Sequence, residues 1–89
     1  ALDVDIFVPE NSTQLENYQL RILAQHNCPP TPTEHYASFE SSFIQNNETL
    51  RVHDSFRIFT GCRETLGTWF FAVYCIDQES CPFDIIIWR

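Results

Sequence analysis

Apolar and polar positions alternate with a period of two over most of the chain. Leu2, Val4, Ile6 and Val8 share one face, Asp3 and Asp5 take the other, and Pro9 closes the segment. From Thr49 onward, Leu50, Val52, Phe56 and Ile58 alternate with Arg51, His53, Ser55 and Arg57. This predicts one long strand, or two with a break near Asp54-Ser55. Gly67–Cys75 is bulky on both faces, which predicts a central strand covered on both sides. Phe83–Trp88 predicts a last strand, and Gln19–Ala24 and His35–Glu40 predict shorter ones.

Between Ser12 and Gln25 two patterns compete. Ser12 or Thr13 followed by Glu16 resembles a helix capping box, and Leu15, Leu20 and Leu23 are loosely spaced behind it. Leu20, Ile22 and Ala24 alternate strictly, however, and this sets Tyr18–Ala24 as a strand. Cys28-Pro29-Pro30-Thr31-Pro32-Thr33 lacks N–H donors at its prolines and reads as a stiff loop, with modification of the Pro/Thr run as the alternative. Five to seven short strands separated by turn signals predict an all-β fold, an antiparallel β-sandwich.

Composition changes this picture in three ways. At 89 residues the chain is one small domain whose core is marginal without staples, and four cysteines are the obvious staples. Twelve acidic residues against five arginines give a formal charge of −7, which excludes phosphate backbones and anionic membrane surfaces as partners. No apolar run approaches the roughly 20 residues of a membrane span, so no membrane insertion is expected. The chain opens at Ala1 and closes at Trp88-Arg89 inside apolar alternations, and so reads as a mature or excised module, one unit of something longer.

Asn11-Ser12-Thr13 and Asn47-Glu48-Thr49 both fit the N-glycosylation pattern and lie in polar stretches between apolar segments. With an even number of cysteines they predict a secreted, extracellular or cell-surface protein carrying N-linked glycans. The cysteines can be paired by geometry. If Phe56–Thr60 and Trp69–Cys75 form a hairpin across Gly61–Gly67, Cys62 sits near the turn and Cys75 at the far end. They are then about 25 Å apart, beyond bridging distance. Cys75 and Cys81 flank a short connection between two strands, so the expected bridges are Cys75–Cys81 and Cys28–Cys62.

The ordered landmarks resemble the bacterial pre-peptidase C-terminal domain family and its relatives in extracellular proteins. That family has an Asp-x-Asp-Leu-Tyr-Val strand, here Asp3–Val8. A Pro-Thr stretch runs into a Tyr-containing strand, here Pro30–Tyr36. A Gly-Thr-Trp-Tyr-x-x-Val strand follows, here Gly67–Val73, and a final apolar strand, here Phe83–Trp88. The resemblance spans nearly the whole chain and implies a single jelly-roll-like module over residues 1–89, with a loop insertion over residues 9–34. It departs from the family in starting at the Asp-x-Asp strand, and so implies that one or two first strands are lacking. A sheet edge left open in this way is expected to be filled by strand addition from another copy or segment.

Candidate chemistry is sparse. Asp3 and Asp5 alternate onto one face and are candidate calcium ligands, with Asp77, Glu79 and Asp84 as further carboxylates; the plainer reading is that they face solvent or bond nearby backbone. Some relatives in the family bind calcium; no other cofactor is expected. His26, Cys28 and His35 offer zinc-type ligands without a second close-spaced pair. No nucleophile elbow, zinc-hydrolase helix or glycine-rich phosphate loop occurs, so no catalytic residues are assigned and the chain is read as no enzyme. Thirteen aromatics exceed what a small core needs. Phe7, Tyr18, Tyr74 and Trp88 are expected to point outward if Trp69, Phe71 and Val73 point in. The expected role is a non-catalytic structural or adhesive module of a cell-surface or fibril-forming glycoprotein, self-associating with like units. The alternative is an accessory carbohydrate- or polymer-binding module of a secreted hydrolase or peptidase.

Overall fold

A computed structural model describes residues 1–9, 17–45, 50–61, 67–76 and 80–89. Seven strands follow in chain order: β1 (Leu2–Phe7), β2 (Tyr18–His26), β3 (Ala37–Gln45), β4 (Leu50–Arg51), β5 (His53–Ile58), β6 (Trp69–Ile76) and β7 (Asp84–Trp88). There is no helix among the described residues. Every strand pairing is antiparallel. One sheet has the order β5-β1-β7 and the other β4-β3-β2-β6.

The period-two pattern is realised most cleanly in β1, where Leu2, Val4 and Ile6 are buried and Asp3 and Asp5 are not. β2 forms as its alternation requires, with Tyr18, Leu20, Ile22 and Ala24 on the core side. The span 9–34, expected as a loop insertion, therefore contains β2, one of the two interior strands of the four-stranded sheet. Side chains from both sheets meet in shared clusters. Ile6 packs with Tyr18, Leu20, Ile22 and Phe43, and Leu2, Val4 and Ile58 pack with Ala24. Leucine, isoleucine and phenylalanine side chains fully buried in this way each contribute roughly 1.5–3 kcal/mol relative to exposure.

Several expectations are corrected. β5 and β6 do not form a hairpin: β5 pairs with β1, while β6 pairs with β2 in the other sheet. The Thr49–Ile58 stretch breaks at Val52, not near Asp54-Ser55, because the chain changes sheets there, from β4 on β3 to β5 on β1. β6 is an edge strand with β2 on one side, and Phe70 and Tyr74 are exposed on its outer face. Its bulk on both faces meets the core through Trp69, Phe71 and Val73 and solvent through Phe70 and Tyr74, not cover from two layers. Tyr18 points inward: it is buried, tilts against Phe43, and its hydroxyl donates to the carbonyl of Pro82.

Cys75 and Cys81 form a disulfide with Cα atoms 5.5 Å apart. The reason differs from the hairpin argument. β6 and β7 lie in different sheets, so the bridge staples the passage from one layer to the other, and Cys81 is buried in the core beyond it. Cys28 is exposed with a free thiol. Its expected partner Cys62, and the glycosylation candidates Asn11 and Asn47, lie outside the described residues.

Candidate functional site

Two surfaces stand out, and the topology builds both. The first is the outer face of the three-stranded sheet. Register places Arg57, Asp3 and Trp88 side by side in one row, Ser55, Asp5 and Ile86 in the next, and His53, Phe7 and Asp84 in a third. These residues share a face because each row is two residues from the next along every strand. Arg57 donates through Nε to Asp3 Oδ1 at 2.7 Å and through Nη2 to Asp3 Oδ2 at 3.3 Å. Trp88 Nε1 donates to Asp5 Oδ2 at 2.7 Å, reaching across one row, and His53 Nε2 bonds Asp5 Oδ1 at 3.1 Å. The His53 ring stacks on Phe7 with centroids 4.5 Å apart.

The electrostatics follow from these bonds. Hydrogen bonding to Arg57 first, then its charge, holds the Asp3 carboxyl below the usual carboxylate range; the same bond raises Arg57. Asp5 is lowered first by the indole N–H of Trp88 and then by His53. The two candidate calcium ligands are thus engaged by an arginine, an indole and an imidazole. Asp3, Asp5, Arg57, Ser55 and Trp88 line a shallow depression of about 490 Å³, and Trp88 remains 51% exposed.

The second surface is the side of the molecule where the edges β6 and β7 adjoin. Both belong to the same core cluster, through Trp69 and Phe71 from β6 and Ile85 from β7. Among the described residues neither pairs with the other. Between them opens a gap of about 540 Å³ lined by Leu2, Trp69, Phe71, Ile87 and Arg89, among others. Arg89 crosses it to donate to the Gly67 carbonyl at 3.1 Å. Ile87 shares the inward face of β7 with Ile85, yet is 40% exposed, and no strand among the described residues covers it from that side.

The opposite side is built differently. β5 carries His53, Asp54 and Arg57. Asp54 pairs with the inward position Ile6, accepts from the buried Ser41 hydroxyl at 2.8 Å and from Arg51 at 2.9 Å, and so ties β3, β4 and β5 together. An inward-pointing charge and a charged edge are devices that prevent further strand pairing. Across β6 (Trp69–Ile76) and β7 (Asp84–Trp88) the one charged residue is Asp84, at the start of β7.

The histidines do not converge. His35 bonds the Thr31 carbonyl at 3.0 Å within its own turn, which Thr31 and Glu34 close by reciprocal backbone bonds, while His26 lies against Trp69. Among the described residues no group of three or more His, Cys, Asp or Glu side chains is placed to hold a metal. Sequence reasoning singled out Asp3, Asp5 and Trp88 but missed Arg57 and His53 as their partners. The signal was present in the matched alternation of Asp3/Asp5 with His53/Ser55/Arg57; what was lacking was the knowledge that β5 pairs with β1. Compared with family models, curated proteins and solved structures, the chain matches none of them.

Proposed function

We propose that this chain is a non-catalytic, extracellular structural or adhesive module that packs against like units by accepting a neighbour's strand along its β6–β7 side. The observation that carries the reading is the contrast between the two sides of the molecule. One side is guarded by Asp54, Arg51, His53 and Arg57, and the other presents two adjoining edges rich in β-branched and aromatic residues, with Asp84 at the start of β7 as their one charge and Arg89 just beyond its end. Unpaired edge N–H and C=O groups beside exposed apolar side chains are a template for β-strand addition. A strand added there would cover Ile87 and close the gap over Phe71 and Trp69.

The reading takes the two packed sheets as a jelly-roll-like sandwich of the pre-peptidase C-terminal kind, completed by a strand from outside these 89 residues. Support comes from the Asp-x-Asp motif lying on β1, the Gly-Thr-Trp stretch leading into β6 and the last apolar run forming β7. An extracellular setting is supported by the Cys75–Cys81 disulfide. No described helix is long and apolar enough to cross a membrane. N-linked glycans at Asn11 and Asn47 belong to the same proposal, and a mass loss on enzymatic deglycosylation of the protein from a eukaryotic host tests them.

The interface is tested by sedimentation velocity of the disulfide-intact protein and of Ile87→Lys. A lysine at this inward-facing lip places a charge where the added strand must lie, and because Ile87 is already partly exposed the fold tolerates it. The wild-type chain is expected to sediment as concentration-dependent oligomers or filaments and the variant as a monomer with an unchanged far-UV spectrum. A wild-type monomer at every concentration contradicts the reading.

A further inference from the structure

The outer face of β5-β1-β7 looks away from the gap between β6 and β7 and has a chemistry of its own. Three rows at two-residue spacing make a platform of roughly 13 Å along the strands and about 10 Å across them, the size of a short run of sugar rings. Its most prominent member is Trp88. The polar edge of that indole is already fixed by the Nε1–H bond to Asp5, so what remains open to a ligand is aromatic surface. Such a surface attracts the polarised C–H groups of a pyranose ring.

Beside it, donors and acceptors alternate at close range. Arg57 spends two of its five N–H donors on Asp3, and the carboxylates of Asp3 and Asp5 retain lone pairs beyond their internal bonds. A guanidinium N–H next to a carboxylate oxygen is complementary to a vicinal diol, which must donate from one hydroxyl and accept at its neighbour. Cross-strand bonds hold each of these groups before a ligand arrives, so little side-chain entropy is lost on binding. Ser55 adds a hydroxyl to the same depression.

Charge narrows the ligand. Asp3, Asp5 and Asp84 outweigh Arg57 on this face, within a chain of formal charge −7. Sulfated, phosphorylated and uronate-rich polymers are repelled. An aromatic ring flanked by a few fixed polar groups is the composition of a small-molecule subsite, here laid open along a sheet instead of sunk in a cleft. We infer that the outer face of the three-stranded sheet is a binding site for a neutral saccharide chain, with Trp88 as the stacking platform and Asp3, Asp5 and Arg57 as the hydroxyl-binding groups.

Affinity electrophoresis of the disulfide-intact protein tests this, in native gels cast with xylan, glucomannan or mixed-linkage glucan, and with polygalacturonate as the anionic comparison. Retardation by at least one neutral polymer and none by polygalacturonate is expected. Trp88→Ala is expected to weaken binding tenfold or more. Trp88→Phe, which keeps a ring but loses the Nε1 bond, should weaken it severalfold, and Arg57→Gln likewise. Far-UV circular dichroism confirms that each variant is folded, and Trp88→Phe together with Arg57→Gln carries the test if Trp88→Ala is not. The inference is overturned by a wild-type protein that no neutral polymer retards, by retardation unaltered in the folded Trp88 and Arg57 variants, or by stronger retention on polygalacturonate.

Discussion

Asp3 and Asp5 illustrate how much a single side chain's role depends on the strand beside it. On β1 alone they are two solvent-facing carboxylates; with β5 and β7 alongside, they anchor Arg57, His53 and Trp88. Because both carboxyls titrate below their ordinary range when folded, their stabilising effect is complete above the unfolded-state value of about 3.9. It is lost as the pH falls through the lower folded values. The thermal midpoint should therefore drop on acidification below about pH 4, and Asp3→Asn should both lower the midpoint at neutral pH and flatten that acid slope. An acid slope identical in the variant would show that the Arg57 bond carries no stability. Gly67 is the second informative residue. Its φ of +104° is one that side chains rarely adopt, and a Cβ there would press on Asn27 Oδ1 and lie 2.8 Å from His26 Nε2. Gly67→Ala should cost more than about 1 kcal/mol in urea denaturation, and a neutral result would contradict the tight approach of β2 and β6 at this end.

At the scale of elements, the strands themselves were legible in the sequence and their partners were not. The alternation Leu2/Val4/Ile6 and Leu20/Ile22/Ala24 set the buried faces of β1 and β2, since a period of two leaves no other register with a dry side. Alternation says nothing about which strand lies next, and closeness in sequence alone sets β5 against β6. The chain instead changes layers between β1 and β2, between β4 and β5, between β5 and β6 and between β6 and β7, so the expected β5–β6 hairpin does not exist. The surplus of aromatics puts Tyr18 among the outward ones; a carbonyl at Pro82 satisfies its hydroxyl inside, and burial raises its pKa. The Cys75–Cys81 bridge was found for a reason that the topology replaces. Closing a loop only six residues apart in sequence, it should still contribute about 2 kcal/mol by the loop-entropy relation. Urea denaturation of the Cys75→Ala/Cys81→Ala double variant measures that directly. A loss near zero would mean that the core alone holds the passage between sheets.

For the whole molecule the central feature is its asymmetry. One flank closes with a buried Ser41–Asp54–Arg51 tie and a charged edge strand, whereas the other leaves β6 and β7 side by side and unpaired, with Asp84 the one charge on the two strands, joined by the disulfide near one end and the Arg89 bond to the Gly67 carbonyl near the other. A chain with a marginal core gains most from burying such a flank, because every exposed aliphatic there is apolar area not yet withdrawn from water. The outer face of β5-β1-β7 looks away from the core and from the gap on that flank, so a strand added at the β7 edge would extend the sheet beside Trp88 without lying over the ring. Amide hydrogen exchange followed as a function of protein concentration tests the central claim most directly, because strand addition must protect the backbone it pairs with. The account predicts that exchange slows with rising concentration across residues 69–76 and 84–88 while residues 53–58 keep their rates. Rates on β6 and β7 that do not change with concentration, or protection that appears on β5 instead, would contradict it.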